Sequence, residues 1–181
     1  LLSDFQTSVR KALEEIDPNW ENYPGLVICG THSPYDHVEE MIEEIRKARE
    51  SNVPFLGICF GHQLAAIEYA RNVLGIKDAT SEEFGKGTFV VKKLPRLKVG
   101  LYSAFWKDHE NRMESFWNNY EVDSKYFINT FPGLLPTDDL DTVDWWRDNR
   151  FFTTVQYHPE YQSSKEKPHP ILVEFINACK K

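Results

Sequence analysis

Apolar positions recur along the first half of the chain in two alternating rhythms. Phe5, Val9, Leu13 and Ile16 fall at helical spacing after Ser3-Asp4, either of which can act as N-cap, so a helix is predicted over 5–16. Gly25 to Gly30 encloses a short continuous apolar run (Leu26, Val27, Ile28, Cys29), the pattern of a buried strand. Ser33, Pro34 and Asp36 then read as N-cap, first helical position and near-capping box, ahead of the one-faced series Val38, Met41, Ile42, Ile45 and Ala48. Val53 to Ile58 is the next strand and Phe60 to Leu74 the next helix, closed by Gly75 at C′. Buried strands alternating with helices predict an α/β fold, with a mostly parallel central sheet flanked by helices in flavodoxin-like layering. Leu1-Leu2 reads as the tail of a strand whose earlier residues precede the sequence given.

The second half changes rhythm. Gly87 to Val91 and Leu97 to Tyr102 read as strands around a turn at Lys92–Pro95, and Tyr126 to Phe131 and Phe151 to Tyr157 as further strands. Between the last two, the polar, acidic stretch 132–150, with Trp145-Trp146, is expected to be a surface insertion in a single domain spanning 1–181. A final helix is predicted from Pro170 to about Cys179.

Composition narrows the function classes. The 181 residues carry 21 Lys and Arg against 28 Asp and Glu, a formal net charge of −7, with no clustered basic stripe. That balance argues against nucleic-acid binding, which runs on cationic neutralisation of phosphates. No apolar run approaches the roughly 20 residues needed to span a bilayer, and no signal-peptide pattern opens the chain, so no membrane association is expected. Three widely spaced cysteines, Cys29, Cys59 and Cys179, argue against a disulfide framework and for a cytoplasmic setting. His32, His37 and His169 lack the spacing and support of metal ligands, and neither metal nor cofactor is expected.

The sharpest local signal is Gly57-Ile58-Cys59-Phe60-Gly61. Glycines two residues to each side of a nucleophile allow the tight strand-to-helix turn of a nucleophile elbow. That turn puts Cys59 at a helix N-terminus, where the dipole and unpaired N–H groups favour a thiolate, and aims the Phe60 N–H where an oxyanion forms. About a hundred residues on stands Val155-Gln156-Tyr157-His158-Pro159-Glu160. In an extended segment His158 and Glu160 point the same way, so Glu160 can hold one ring nitrogen while the other faces a thiol. The plainer readings are a structural cysteine between packing glycines and a His-Pro-Glu turn; their coexistence in one α/β chain favours the catalytic reading.

These segments resemble the signatures of class I glutamine amidotransferases, and within them the glutaminase domain of the CTP synthase branch. The matching residues run from Pro54 to Gly75, through Lys77-Asp78-Ala79 to Ser81–Phe84, and return at Tyr120-Glu121-Val122 and Val155–Tyr161. The resemblance implies a glutaminase that releases ammonia through a cysteine thioester, with Cys59 as nucleophile, His158 as base and Glu160 as its orienter. It implies Gly30 and Phe60 as oxyanion donors, and Gln63, Glu83 and the Asn119-Tyr120 segment as the binding surface for glutamine, with Glu83 suited to its ammonium. The partners implied are L-glutamine or a related γ-glutamyl amide and a separate synthase chain or domain accepting the ammonia. Two departures stand out. The glycine-rich turn is reduced to Cys29-Gly30-Thr31-His32, and Asn119 stands where the family carries an arginine for the substrate carboxylate. Either another residue, Arg112 being nearest, supplies that charge, or free glutamine is not the preferred substrate. A catalytically weak binding or regulatory module, or a cysteine hydrolase of γ-glutamyl compounds, is the alternative.

Overall fold

The computed structural model describes residues 4–106, 109–131, 140–145 and 151–181, without the side chains of 105, 106 and 109–111. Its first half follows the predicted alternation: α1 (Asp4–Ile16), β1 (Leu26–Ile28), α2 (Val38–Glu50), β2 (Phe55–Ile58) and α3 (Phe60–Asn72). β3 (Ala79–Ser81), β4 (Thr88–Trp106), β5 (His109–Val122), β6 (Thr142–Asp144), β7 (Phe152–Val155) and α4 (Pro170–Cys179) follow. The central sheet has the order β1-β2-β7-β6. β1, β2 and β7 are parallel, with Phe55 opposite Phe152 and Ile58 opposite Val155, and β6 closes one edge antiparallel to β7. A second sheet, β3-β4-β5, is dominated by the antiparallel β4–β5 pair.

Alternation along β2 decides the two cores. Phe55 faces α2 and α3 with Ile42, Ile45, Leu64 and Ile67, whereas Leu56 and Ile58 face α1 and α4 with Leu13, Val155, Ile171 and Phe175. The expected helix–sheet–helix layering is therefore present, and β2 is buried along its whole length, as a strand covered on both faces must be. The ion pair of Arg49 (α2) with Glu68 (α3), 2.8 Å apart, is buried between those two helices.

Several elements differ from the sequence reading. α2 begins at Val38 rather than Pro34, because His37 takes a left-handed conformation (φ 58°) that ends the preceding turn. The turn expected at Lys92–Pro95 is a bulge inside the single strand β4. Between the pairs Lys93–Tyr120 and Lys98–Asn118, four residues of β4 face one of β5, and Pro95, without an N–H, sits in that unpaired excess. β5 carries no apolar alternation that announces a strand, since its inward positions include Glu114 and Asn118 as well as Phe116. Tyr126–Phe131 is not a strand: a 3-10 turn at Ser124–Tyr126 leads into further turns, with Phe127 buried against Trp145. Within the stretch expected to be a surface insertion, Thr142–Asp144 completes the central sheet, and Leu140, Val143 and Trp145 belong to the core. Residues 132–139 and 146–150 of that stretch, Trp146 among them, lie outside those described.

Candidate active site

The backbone at the end of β2 sets the position of Cys59. Its N–H donates to the Val155 carbonyl at 2.7 Å, continuing the β2–β7 ladder by one residue, and α3 starts immediately after it. To turn that sharply Cys59 takes φ 54° and ψ −100°, a conformation that costs an L-residue on the order of 1–3 kcal/mol and persists only where its surroundings enforce it. The flanking glycines are required by contact. A Cβ on Gly61 would lie 2.0 Å from the Ile28 carbonyl oxygen, and one on Gly57 would lie 2.8 Å from the Gly61 carbonyl oxygen. The elbow is thus packed directly against β1.

His158 enters from β7. The strand ends at Val155, and Pro159–Gln162 forms a 3-10 turn, so the His158–Glu160 pairing is held by a turn rather than by the strand alternation expected from sequence. Nδ1 of His158 and Oε1 of Glu160 are 2.7 Å apart, with both side chains fully buried. The His158 N–H donates to the Ser115 carbonyl of β5 at 2.8 Å, which ties the turn to the second sheet. The imidazole is stacked between Phe5 of α1 (5.0 Å, 23°) and Tyr161 (5.3 Å, 25°). Nε2 has no hydrogen-bond partner within bonding distance among the described residues and is the nitrogen left for the neighbouring Cys59 side chain. Burial pulls the ring's pKa down, but the neighbouring Cys59 side chain and the Glu160 carboxylate outweigh it and push it up to about 10.

Two contacts to the sulfur were not legible in the sequence. Cys59 Sγ lies 3.7 Å from the Trp117 carbonyl oxygen, and Gln156 Nε2 donates to the sulfur at 3.7 Å. Burial raises the thiol of Cys29 to about 12 and that of Cys179 to about 11. Cys29 lies beside β1 and Cys179 at the end of α4, both in the apolar layer with α1.

A cleft of about 300 Å³ opens over the sulfur, bordered by the loop after β1, the start of α3, the loop after β3 and strand β5. Of the residues singled out from sequence, Cys59, Phe60, Gln63, Glu83, Asn119 and Tyr120 line it. Phe60 is the first residue of α3, so its N–H has no carbonyl within the helix to bond. Gly30 instead borders an adjoining cavity of about 720 Å³; a Cβ there would press on the His158 ring at 3.1 Å. The Gln63 amide is partly committed to the protein, donating to the Tyr120 carbonyl at 3.0 Å and to Gln156 Oε1 at 3.2 Å. Glu83 is half-buried and its pKa is raised by that burial; Tyr120 is raised by burial and then by the Glu83 charge. Arg112 does not reach the cleft lining: its Nε is 3.1 Å from Oε1 of buried Glu114, which also takes His169 Nε2 at 2.9 Å. His62 of α3 does not line the cleft. It is fully buried, with Nδ1 2.7 Å from Thr154 Oγ1, and burial lowers its pKa to about 3.

Comparisons with known proteins agree on the family. The family model for class I glutamine amidotransferases matches residues 4–178. A CTP synthase of Methanoculleus marisnigri is 35% identical over 173 residues, 80% of this chain and 32% of that protein. One of Flavobacterium psychrophilum is 36% identical over 177 residues, again 80% of this chain and 32% of the relative. The chain thus spans about a third of the length of these relatives. Among solved structures, the glutaminase domain of Trypanosoma brucei CTP synthase with bound acivicin superposes with a TM-score of 0.81, at 23% identity over 96% of this chain and 87% of that one. No helix among the described residues is long and apolar enough to cross a membrane. A family match over nearly the whole sequence, with the same fold in a solved glutaminase domain, establishes that this chain belongs to the class I glutamine amidotransferases.

Proposed function

We propose that the chain hydrolyses the side-chain amide of glutamine through Cys59, His158 and Glu160, releasing ammonia. The observation that carries this reading is the left-handed Cys59 at the head of α3 beside a buried imidazole. One nitrogen of that ring is held by Glu160 at 2.7 Å and, among the described residues, the other has no hydrogen-bond partner. In this reading Cys59 gives its proton to Nε2 of His158 and its sulfur attacks the amide carbon, forming a C–S bond while the carbonyl oxygen takes up the negative charge beneath the N–H groups of Phe60 and Gly30. Collapse of that intermediate breaks the C–N bond, with the His158 proton passing to the leaving nitrogen to give ammonia. His158 then takes a proton from water as that water attacks the thioester carbon; the C–S bond breaks, the proton passes from His158 to the sulfur, and a carboxylic acid is released. Glu160 holds the ring in orientation and stabilises its charged form. Gln63, Glu83, Asn119 and Tyr120 border the substrate, with Glu83 placed for an ammonium group. As the relatives' name and greater length suggest, the ammonia passes to a synthase chain or domain.

Two measurements test this. Iodoacetamide at pH 8, read by peptide mass spectrometry, should modify Cys59 well before Cys29 and Cys179, whose thiols burial holds far above that pH. Ammonia release from a glutamine substrate should vanish in Cys59→Ala. Equal labelling of the three cysteines, or release that survives Cys59→Ala, would sink the proposal.

A further inference from the structure

The Cys59 cleft offers acceptors where a free amino acid needs a cation. Glu83 brings a half-buried carboxylate to its wall, and among the described residues no lysine or arginine lines the cleft. The arginine nearest Asn119 in sequence, Arg112, is turned to Glu114, which is buried and also held by His169. Asn118 is buried in the same wall: its Nδ2 donates to the Tyr120 carbonyl at 2.9 Å, which fixes the amide orientation, and its Oδ1 has no donor among the described residues. The Trp117 carbonyl adds another acceptor beside the sulfur. Asn119 stands exposed at the rim. Among the described residues, the one lining side chain able to become cationic is the exposed His32, whose ring lies against Phe5 at 4.7 Å.

A carboxylate is an acceptor only, whereas an ammonium or a carboxamide N–H is a donor. An α-carboxylate entering this cleft would meet Glu83 with no arginine or lysine beside it, while an α-ammonium would gain from the same residue. We infer that the cleft selects glutamine whose α-carboxyl group is blocked as an amide and whose α-amine is free, in preference to free glutamine. This rests on the glutaminase reading above and assigns its substrate class. The α-ammonium pairs with Glu83, the blocked α-carboxyl offers an N–H in place of a negative charge, and exposed Trp117 and Tyr35 at the rim flank whatever continues beyond that amide. The chemistry at the side-chain amide is unchanged: ammonia leaves from the γ-position, and the blocked α-carboxyl is retained in the product.

The test compares kcat/KM for L-glutamine, its α-methylamide and the Nα-acetylated α-methylamide, measured as ammonia released above a no-enzyme blank. Methylamine is scored separately so that cleavage at the wrong amide is seen. Loss of hydrogen bonds to a charged group corresponds to about ten- to a hundredfold in binding, so the α-methylamide should exceed free glutamine by about tenfold or more. Acetylation, which removes the ammonium, should cost a similar factor, as should Glu83→Gln on the α-methylamide. Asn119→Arg should raise kcat/KM for free glutamine by about tenfold and give the α-methylamide nothing. Wild-type preference for free glutamine, with activity still abolished by Cys59→Ala, would overturn the selectivity and leave the glutaminase reading standing. No Cys59-dependent ammonia from any of the three would remove both.

Discussion

Replacing Glu160 by glutamine keeps the size and a hydrogen-bonding group beside Nδ1 of His158 but removes the charge. The two side chains are fully buried and 2.7 Å apart, so water cannot screen or replace the interaction. A hydrogen bond to a charged partner contributes about 1.5–3 kcal/mol against about 0.5–1.5 kcal/mol for a neutral one, leaving about 1–2 kcal/mol that favours the protonated ring only while Glu160 is ionised. At about 1.4 kcal/mol per pKa unit, Glu160→Gln should lower the His158 pKa by about one unit from its raised position. The sign is fixed: the folded ring keeps its proton through neutral pH and loses it as pH climbs, and the variant loses it earlier. The alkaline limb of the kcat/KM profile, which requires that proton for the leaving ammonia, should therefore move down by about one unit. The glutamine amide can also turn its NH2 toward Nδ1 and force the ring proton to Nε2; with the lost charge, a fall in kcat/KM of about 10²–10⁴-fold is expected. The assay is ammonia release across pH, with a thermal melt to confirm that the variant folds. A folded variant within about threefold of wild type and with an unmoved limb would refute the orienting role of Glu160.

Gly61→Ala should destabilise the protein by about 1–3 kcal/mol, because its Cβ would meet the Ile28 carbonyl 2.0 Å away, backbone against backbone; a denaturant midpoint equal to wild type would contradict the close approach of α3 to β1. Glu68→Ala should cost about 1.5–3 kcal/mol by removing the buried carboxylate of the Arg49 pair, with Glu50 still 3.5 Å from the guanidinium, whereas Arg49→Met with Glu68→Leu should regain most of that in urea titration. His62 gives an acid-stability signature: the unfolded ring binds a proton below about pH 6.5 and the folded one only near 3, so stability falls as pH drops through that window. His62→Gln should reduce the slope by up to about 1.4 kcal/mol per pH unit, and an unchanged slope between pH 6 and 4 would exclude His62 as its source.

The layered α/β core was legible in the sequence because each of its elements is specified locally. Helical spacing in α1 and α2, short apolar strands at β1 and β2, and the glycine-flanked Cys59 are patterns over neighbouring residues, and local sterics turn them into elements. The same holds for the elbow, since only glycine at 61 permits the approach of α3 to β1 and only glycine at 57 leaves room for Thr154 and the Gly61 carbonyl. What the sequence left open depends on partners far along the chain. β6 and Trp145 lie in a polar stretch and become core only because β7 offers a ladder and Tyr69 and Phe127 offer a surface. β5 has no strand signal of its own and is held by pairing with β4, yet it supplies the Trp117 carbonyl, Asn118 and Asn119 to the cleft. Phe5 and Tyr161, which sandwich His158, are about 150 residues apart in the chain, and no sequence period links them. Arg112 and Asn119 are seven residues apart on one strand, and local pattern cannot say which of them faces the cleft; burial of Glu114 and its bond to His169 draw Arg112 away. Charge in a site is a sum over distant segments, so the absence of an arginine or lysine along the described lining of this cleft was decided by the tertiary structure.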